Sequence, residues 1–317
     1  MKDLMMLYGV TLGRRFHEKQ KTYFINQVES SYSKFGFPTE IHRSQNLGVT
    51  IRNITAGDLN QADIVFAAAY DTPASSLLPN MRFYPFRISK NLKQERLNFL
   101  VRLMFLIVLA LIAYFCVQLF GRSEGLWKAL YLLLLVLTVG FAVFFGSERA
   151  NRFNFNRNSA SLAVMHKIAE QCQNNPRIAF AFFDRSVSSF AGIKAFKEQF
   201  GFQNKTLIFL DSVAEGETLL VAHHAEMNSS AKKLLSNASA IGLTVSERTY
   251  CGSKMKDNIL DLQNGMLYFV SGTVAGKEFY VENVNSKKDV KVNMERLSKI
   301  AESLINFVNS DMREAEK

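Results

Sequence analysis

Apolar and polar positions divide this chain into two kinds of segment. Between residues 103 and 145 lie two uncharged runs, LMFLIVLALIAYFCVQLF (103–120) and ALYLLLLVLTVGFAVFF (129–145), joined by a polar turn at 121–128. Each run is near the roughly 17–25 residues that cross a hydrocarbon core. Each is also apolar on every helical face, which does not suit a pair of helices packed in a globular core. The pattern predicts a two-helix transmembrane hairpin over 99–147 that interrupts one domain made of 1–98 and 148–317.

Outside the hairpin the periodicity alternates between that of helices and that of strands. Residues 16–35 place Tyr23, Phe24, Val28, Tyr32 and Phe35 at helical spacing, stopped by Gly36 and Pro38. Residues 39–43, 48–53 and 63–69 read as strands, the last (DIVFAAA) apolar enough for a sheet interior. Beyond the hairpin come a helix at 159–173, a buried strand at 177–183 (RIAFAFF), a helix at 191–200 and a buried strand at 206–210. A strand at 218–222, a helix near 231–240 and a strand at 266–270 follow. Asn293 is placed to cap a last helix striped by Leu297, Ile300, Ala301, Leu304, Ile305 and Val308. This order predicts an α/β fold, a mostly parallel mixed sheet with helices on both faces, whose ligands collect beyond the carboxyl ends of the strands. Asp71, Asp184 and Asp211 stand at three such ends.

Charge adds an orientation. The net charge is +10 over 317 residues, and much of the excess sits beside the hairpin: Arg82, Arg87, Lys90, Lys93, Arg96 and Arg102 before it, Arg149, Arg152 and Arg157 after it. The turn carries only Arg122 and Lys128, so both flanks are expected in the cytoplasm and the turn outside. Anionic lipid headgroups are the simpler partner for these cations, and nucleic acid is not expected. The opening residues 1–10 have too short an apolar run and too acidic a flank, at Asp3, for a signal peptide, so a multi-pass protein of a bacterial plasma membrane is expected. Cys116 lies in a span, while Cys172 and Cys251 are isolated, a spacing that makes neither a disulfide framework nor a metal motif.

At three strand ends the residues resemble the co-catalytic di-zinc aminopeptidases, a family that also includes the transferrin receptor ectodomain, nicastrin and glutaminyl cyclases. AAAYDT (67–72) is similar to the family's Gly-Ala-His-Tyr-Asp-Ser, and FFDRSVSSFAGIKAF (182–196) follows Phe-Phe-Asp-Gly-Glu-Glu-x-Gly-Leu-Leu-Gly-Ser-x-Ala-Phe without gaps. RNSASLA (157–163) resembles Asp-Asn-Ala-Ser-Gly-Val-Ala, FLDSV (209–213) resembles Asn-Leu-Asp-Met, and DNILDLQNG (257–265) resembles Asp-His-x-x-Phe-x-x-x-Gly. The resemblance spans residues 10–310 around the hairpin.

The resemblance implies where two zinc ions would be held, and this chain departs from the pattern at most of those positions. Ala69 stands where the family has its first His, Arg157 where it has the bridging Asp, and Ser186 and Val187 where it has adjacent glutamates, base and ligand. No His occurs in 280–285, where the last ligand is expected. Asp211 persists as a ligand type, and Asp71 persists without the His it would orient. An ion pair or hydrogen-bonded cluster of Asp71 and Asp211 with Arg157 or Arg185 is therefore expected, because an unpaired buried carboxylate is costly.

Other chemistries find little support. His223 and His224 are adjacent on a strand and point to opposite faces, so they do not chelate one ion together. Ser186, Ser188 and Ser189 lack a Gly-x-Ser-x-Gly elbow, and no Walker or Rossmann glycine loop occurs. The expectation is a catalytically degenerate membrane protein, without a cofactor, that contacts the bilayer and another membrane protein. The alternative is a metal-dependent peptidase with an altered site, for which zinc would be expected. No oligomeric state follows from the pattern.

Overall fold

Alternation along the strands is what divides the core of this protein into two layers. The computed structural model describes residues 1–46, 48–187, 190–200, 205–250, 257–263 and 265–315; the expectations for Cys251, Ser188 and Ser189 lie outside them. Among the described residues the strands are β1 (Thr39–Asn46), β2 (Val49–Ala56), β3 (Ile64–Ala69), β4 (Ile178–Phe183), β5 (Thr206–Asp211), β6 (Thr218–His224), β7 (Ser246–Tyr250), β8 (Met266–Ala275) and β9 (Glu278–Tyr280). They form one sheet in the order β1-β2-β4-β3-β5-β8-β6-β7, with β9 paired to β8. The central block β4-β3-β5-β8 is parallel, while β1–β2, β2–β4, β6–β8 and β8–β9 pair antiparallel, so the sheet is mixed.

Every residue of β3 and β4 is buried, which requires cover on both faces. Phe66, Phe180, Phe182, Ile208 and Leu210 face a core layer closed by α2 (Glu18–Lys34), α5 (Ala160–Gln171), α7 (Asn228–Ala240) and α8 (Met294–Ala315). Their neighbours Val65, Ala179, Ala181, Leu207 and Phe209 face the other layer, closed by α6 (Ala191–Phe200) and by residues around Phe83 and Ile88. The Asn293 side chain accepts the Arg296 amide at 2.9 Å and caps α8 as the spacing predicts. Gly36, at φ +84°, closes α2 in a conformation that disfavours a side chain.

One local expectation needs correction, and three elements were not foreseen. Tyr23 is 57% exposed, and Ile25 takes the buried place beside Phe24. The polar edge strand β7 and the short β9 carry no alternation that would reveal them. The chain also opens with a helix, α1 (Lys2–Met6), that runs into a π turn at Leu7–Thr11 and buries Met5 and Tyr8 in the first core layer.

The hairpin consists of α3 (Ile88–Arg122) and α4 (Gly125–Gly146), both long and apolar enough to cross a membrane. Only 11% and 6% of their apolar stretches are buried, so they are not core helices of the sheet domain. Phe105 of α3 and Phe145 of α4 stack at 5.4 Å. α3 starts well before its apolar run, and that first part is fastened to the sheet domain. The Ile88 amide donates to the Asp257 carbonyl at 2.9 Å, and the Ser89 amide donates to the Asp257 carboxylate at 2.6 Å. Asn91 clasps the Tyr84 backbone at 2.8 and 2.9 Å, and Lys90 pairs with Glu278.

Candidate functional site

Because β4, β3 and β5 are adjacent and parallel, their carboxyl ends bring Asp184, Asp71 and Asp211 to one rim. The π turn Phe155–Ser159, leading into α5, lies across the same rim with Asn156, Arg157, Asn158 and Ser159 all buried. Its amides at Asn156 and Arg157 donate to Asp289 at 2.7 and 3.2 Å. Burial pushes the Asp289 carboxyl up to about 7 against those two bonds.

Arg157 organises this end of the sheet. One of its guanidinium nitrogens donates to Asp211 Oδ1 and, at 3.3 Å, to Ser212 Oγ; the other donates to the Val187 carbonyl. The Phe83 ring lies over the guanidinium, 3.7 Å from its carbon to the ring centroid, and closes it from above. Asp211 also accepts from Ser212 Oγ and Tyr268 Oη, each at 2.9 Å. Burial raises its carboxyl, with Arg157, Tyr268 and Ser212 pulling the other way. The pairing expected of Asp211 with Arg157 is thus present.

Asp71 is held differently. Its Oδ1 accepts the Ser186 amide at 2.9 Å, and burial together with the charge of Asp184 pushes its carboxyl up to about 6. Asp184 is fully buried against Lys21 of α2 at 2.6 Å and accepts the Arg52 amide at 3.1 Å. Arg185, the other expected cation, is exposed and reaches the Thr50 carbonyl at 3.4 Å instead, so it joins neither Asp71 nor Asp211. Ser186 Oγ donates to the Asp184 carbonyl at 3.0 Å, Val187 is buried, and Ala69 is buried at the end of β3 opposite Phe183.

Lys21, Arg15 and Phe83 escaped the sequence reading. Lys21 shares a helix face with Phe24, Val28 and Tyr32, and a lysine in an apolar stripe is the signal that would have found it. Arg15 is wholly buried, bonded to the Tyr8 and Tyr70 carbonyls and to Asn158 Oδ1 at 2.7 Å; burial lowers its guanidinium to about 9. Phe83 belongs to the segment leading to the hairpin, which bridges to Val281 beside β9, and no motif announces it.

The basic residues before the hairpin divide between domain and solvent. Arg82 meets Glu282 at 3.7 Å, Arg87 meets Glu278 at 3.8 Å, and buried Arg102 meets Glu148 at 3.4 Å, while Lys93 and Arg96 are exposed. His223 and His224 have separate partners, Glu247 at 2.9 Å and the Leu260 carbonyl at 3.0 Å.

Zinc is held by sets of nitrogen, sulfur or oxygen ligands at about 2.0–2.3 Å. Among the described residues no group of three or more His, Cys, Asp or Glu side chains is disposed to hold a metal ion. Beside Asp211 the neighbour is a guanidinium, and beside Asp184 it is an ammonium. The donors at this rim do not fit a two-zinc centre.

No family model matches the chain, and no curated protein matches it. Solved structures do. The glutaminyl cyclase of Porphyromonas gingivalis superposes with a TM-score of 0.59 at 12% identity over 98% of each chain. A leucine aminopeptidase precursor from Bacteroides thetaiotaomicron gives 0.56 at 12% identity over 96% of each chain. The LapA aminopeptidase of Legionella pneumophila gives 0.53 at 10% identity, over 96% of this chain and 69% of its own. At such identities the likeness is one of fold, and the fold is that of glutaminyl cyclases and aminopeptidases.

Proposed function

We propose that this chain is a non-catalytic, membrane-anchored interaction module: an aminopeptidase-like domain at the cytoplasmic face of the plasma membrane that holds or regulates another membrane protein. One observation carries the reading. The Arg157 guanidinium is paired to Asp211, the one carboxylate left at a ligand position, under the Phe83 ring. A metal ion there would need to displace a buried cation and share its carboxylate. The hairpin supports the anchoring half, since α3 and α4 expose Leu111, Phe115, Leu133, Val136 and Phe141, each half exposed or more. Water does not stabilise so much contiguous apolar surface, and lipid does. The excess of Arg and Lys on both flanks supports the cytoplasmic orientation.

Metal analysis of the full chain purified in detergent, run beside hydrolysis of aminoacyl anilides and cyclisation of amino-terminal glutamine peptides, tests the non-catalytic half. Less than stoichiometric zinc and no chelator-sensitive turnover is the expected result. Bound zinc with turnover that a chelator removes overturns it in favour of a metallopeptidase with an altered site. Crosslinking in native membranes is expected to recover a second membrane protein.

A further inference from the structure

Between the rim of the sheet and the base of the hairpin lies a cleft of about 620 Å³, a volume within the range of small-molecule sites. Asp71 and Arg185 line it from the sheet side, Phe99, Arg102 and Glu148 from the hairpin side, with Asn285 between them. The apolar run of α3 begins at Leu103. At 1.5 Å of rise per residue, Phe99 and Arg102 lie within about 6 Å of the hydrocarbon boundary along the helix. The hairpin wall of the cleft is therefore at the depth of lipid headgroups.

Two residues that line this cleft each carry a buried polar atom without a partner among the described residues. Arg102 is 9% exposed and meets Glu148 through one terminal nitrogen, yet its Nε has no acceptor; Asn285 Oδ1 has no donor. Buried groups are rarely left so, and here the unmet donor and the unmet acceptor belong to residues of one cavity lining. The lining also carries both signs, with Glu18, Asp71, Glu95 and Glu148 against Lys21, Arg102 and Arg185. A ligand of single charge would face its own sign, whereas a zwitterion would not. Arginine suits phosphate. Asp71 and Asn285 offer oxygen acceptors to a primary ammonium rather than the aromatic cage that receives a quaternary one.

We infer that this cleft binds the headgroup of a bilayer lipid of the phosphatidylethanolamine type, its phosphate toward Arg102 and Arg185 and its primary ammonium toward Asp71 and Asn285. Phe99, 61% exposed, then meets the glycerol and acyl chains at the mouth. The inference rests on the anchoring half of the proposed function and not on the loss of catalysis.

Calorimetric titration of the full chain in detergent tests this with three probes: dihexanoyl phosphatidylethanolamine, dihexanoyl phosphatidylcholine and glycerophosphoethanolamine. The ethanolamine lipid is expected to bind at least about tenfold more tightly than the choline lipid, and Arg102→Gln and Asn285→Gly, the latter compatible with the φ of +56° at that position, each to weaken it by about tenfold or more at an unchanged unfolding temperature. Equal affinity for the two lipids, or undiminished affinity in both variants, overturns the inference. Binding of glycerophosphoethanolamine as tight as that of the lipid overturns the bilayer as the source. If Asn285→Gly does not fold, retained binding in Arg102→Lys against lost binding in Arg102→Gln supports the site, and equal binding in the two sinks it. Alkaline extraction of membranes runs in parallel. Release of the chain defeats the anchoring itself, whereas a retained chain that does not discriminate the lipids defeats only the headgroup inference.

Discussion

Arg157 and Asp211 form a buried ion pair at the carboxyl end of β5, each about 98% or more removed from solvent. The acidic partner is fully engaged, by the guanidinium, by Tyr268 and by Ser212. Such a pair contributes less than its Coulomb attraction suggests, because both ions leave water, but removing one partner strands the other.

Arg157→Ala is therefore expected to destabilise the protein by about 3–5 kcal/mol. Arg157→Met combined with Asp211→Leu removes both charges and is expected to recover much of that loss, a coupling typical of residues in contact. Thermal unfolding and yield of the detergent-solubilised variants measure both. Equal stability of Arg157→Ala and the parent would contradict a structural role for the pair.

Asp289 sets a pH dependence. Its carboxyl is held up to about 7 by burial, against an ordinary value of 3.8. Between those values the folded chain keeps a proton that the unfolded chain has released, so stability from this group is full at about pH 4 and is lost as pH rises through 7. At about 1.4 kcal/mol per unit, the loss has an upper bound of about 4 kcal/mol. Asp71, held up to about 6, adds a slope of the same sign. Unfolding temperatures from pH 4.5 to 8 are expected to fall for the parent and to fall less for Asp289→Asn; parallel curves for the two would refute the assignment.

What the sequence disclosed depended on whether a residue's role was local. The interiors of β3 and β4 are uninterrupted apolar runs, and the α8 stripe repeats at helical spacing, so both could be read without a partner in view. β7 reads SERTY, a polar edge strand whose pairing to β6 comes from tertiary context. The early start of α3 was hidden because residues 88–102 are mixed in character and owe their place to Asp257 and Glu278 on a distant part of the chain. At the rim, the substitution of Arg157 was visible only against the resemblance. Its cover by Phe83 was not visible, since that segment enters with the hairpin.

That cover can be tested separately from the ion pair. Phe83 is 4% exposed, with its ring over Arg157 and tilted against Phe190 at 6.5 Å. Phe83→Leu keeps most of the apolar volume and loses the ring face, at an expected cost of about 1–2 kcal/mol. Phe83→Ala also opens a cavity and is expected to cost about 3–5 kcal/mol. Chemical denaturation distinguishes the two; an unchanged stability of Phe83→Leu would mean that the ring face contributes nothing beyond its volume.

The orientation of the hairpin has a direct readout. The turn joining α3 and α4 is only Ser123 and Glu124, shorter than the polar stretch 121–128 predicts; that stretch carries Arg122 and Lys128 at the two helix ends, whereas nine arginines and lysines flank the two spans on the domain side. If basic residues are retained in the cytoplasm, a cysteine in the turn faces outward and one on the sheet domain faces inward. Glu124 is exposed in the turn and Lys232 is exposed on α7, so neither substitution disturbs packing. In a background where Cys116, Cys172 and Cys251 are replaced by serine or alanine, Glu124→Cys is expected to react with a membrane-impermeant maleimide in intact cells. Lys232→Cys is expected to react only after permeabilisation. The opposite pattern would invert the protein in the bilayer and remove the cytoplasmic partner from the proposed function, and labelling of both positions in intact cells would mean that α3 and α4 do not cross it.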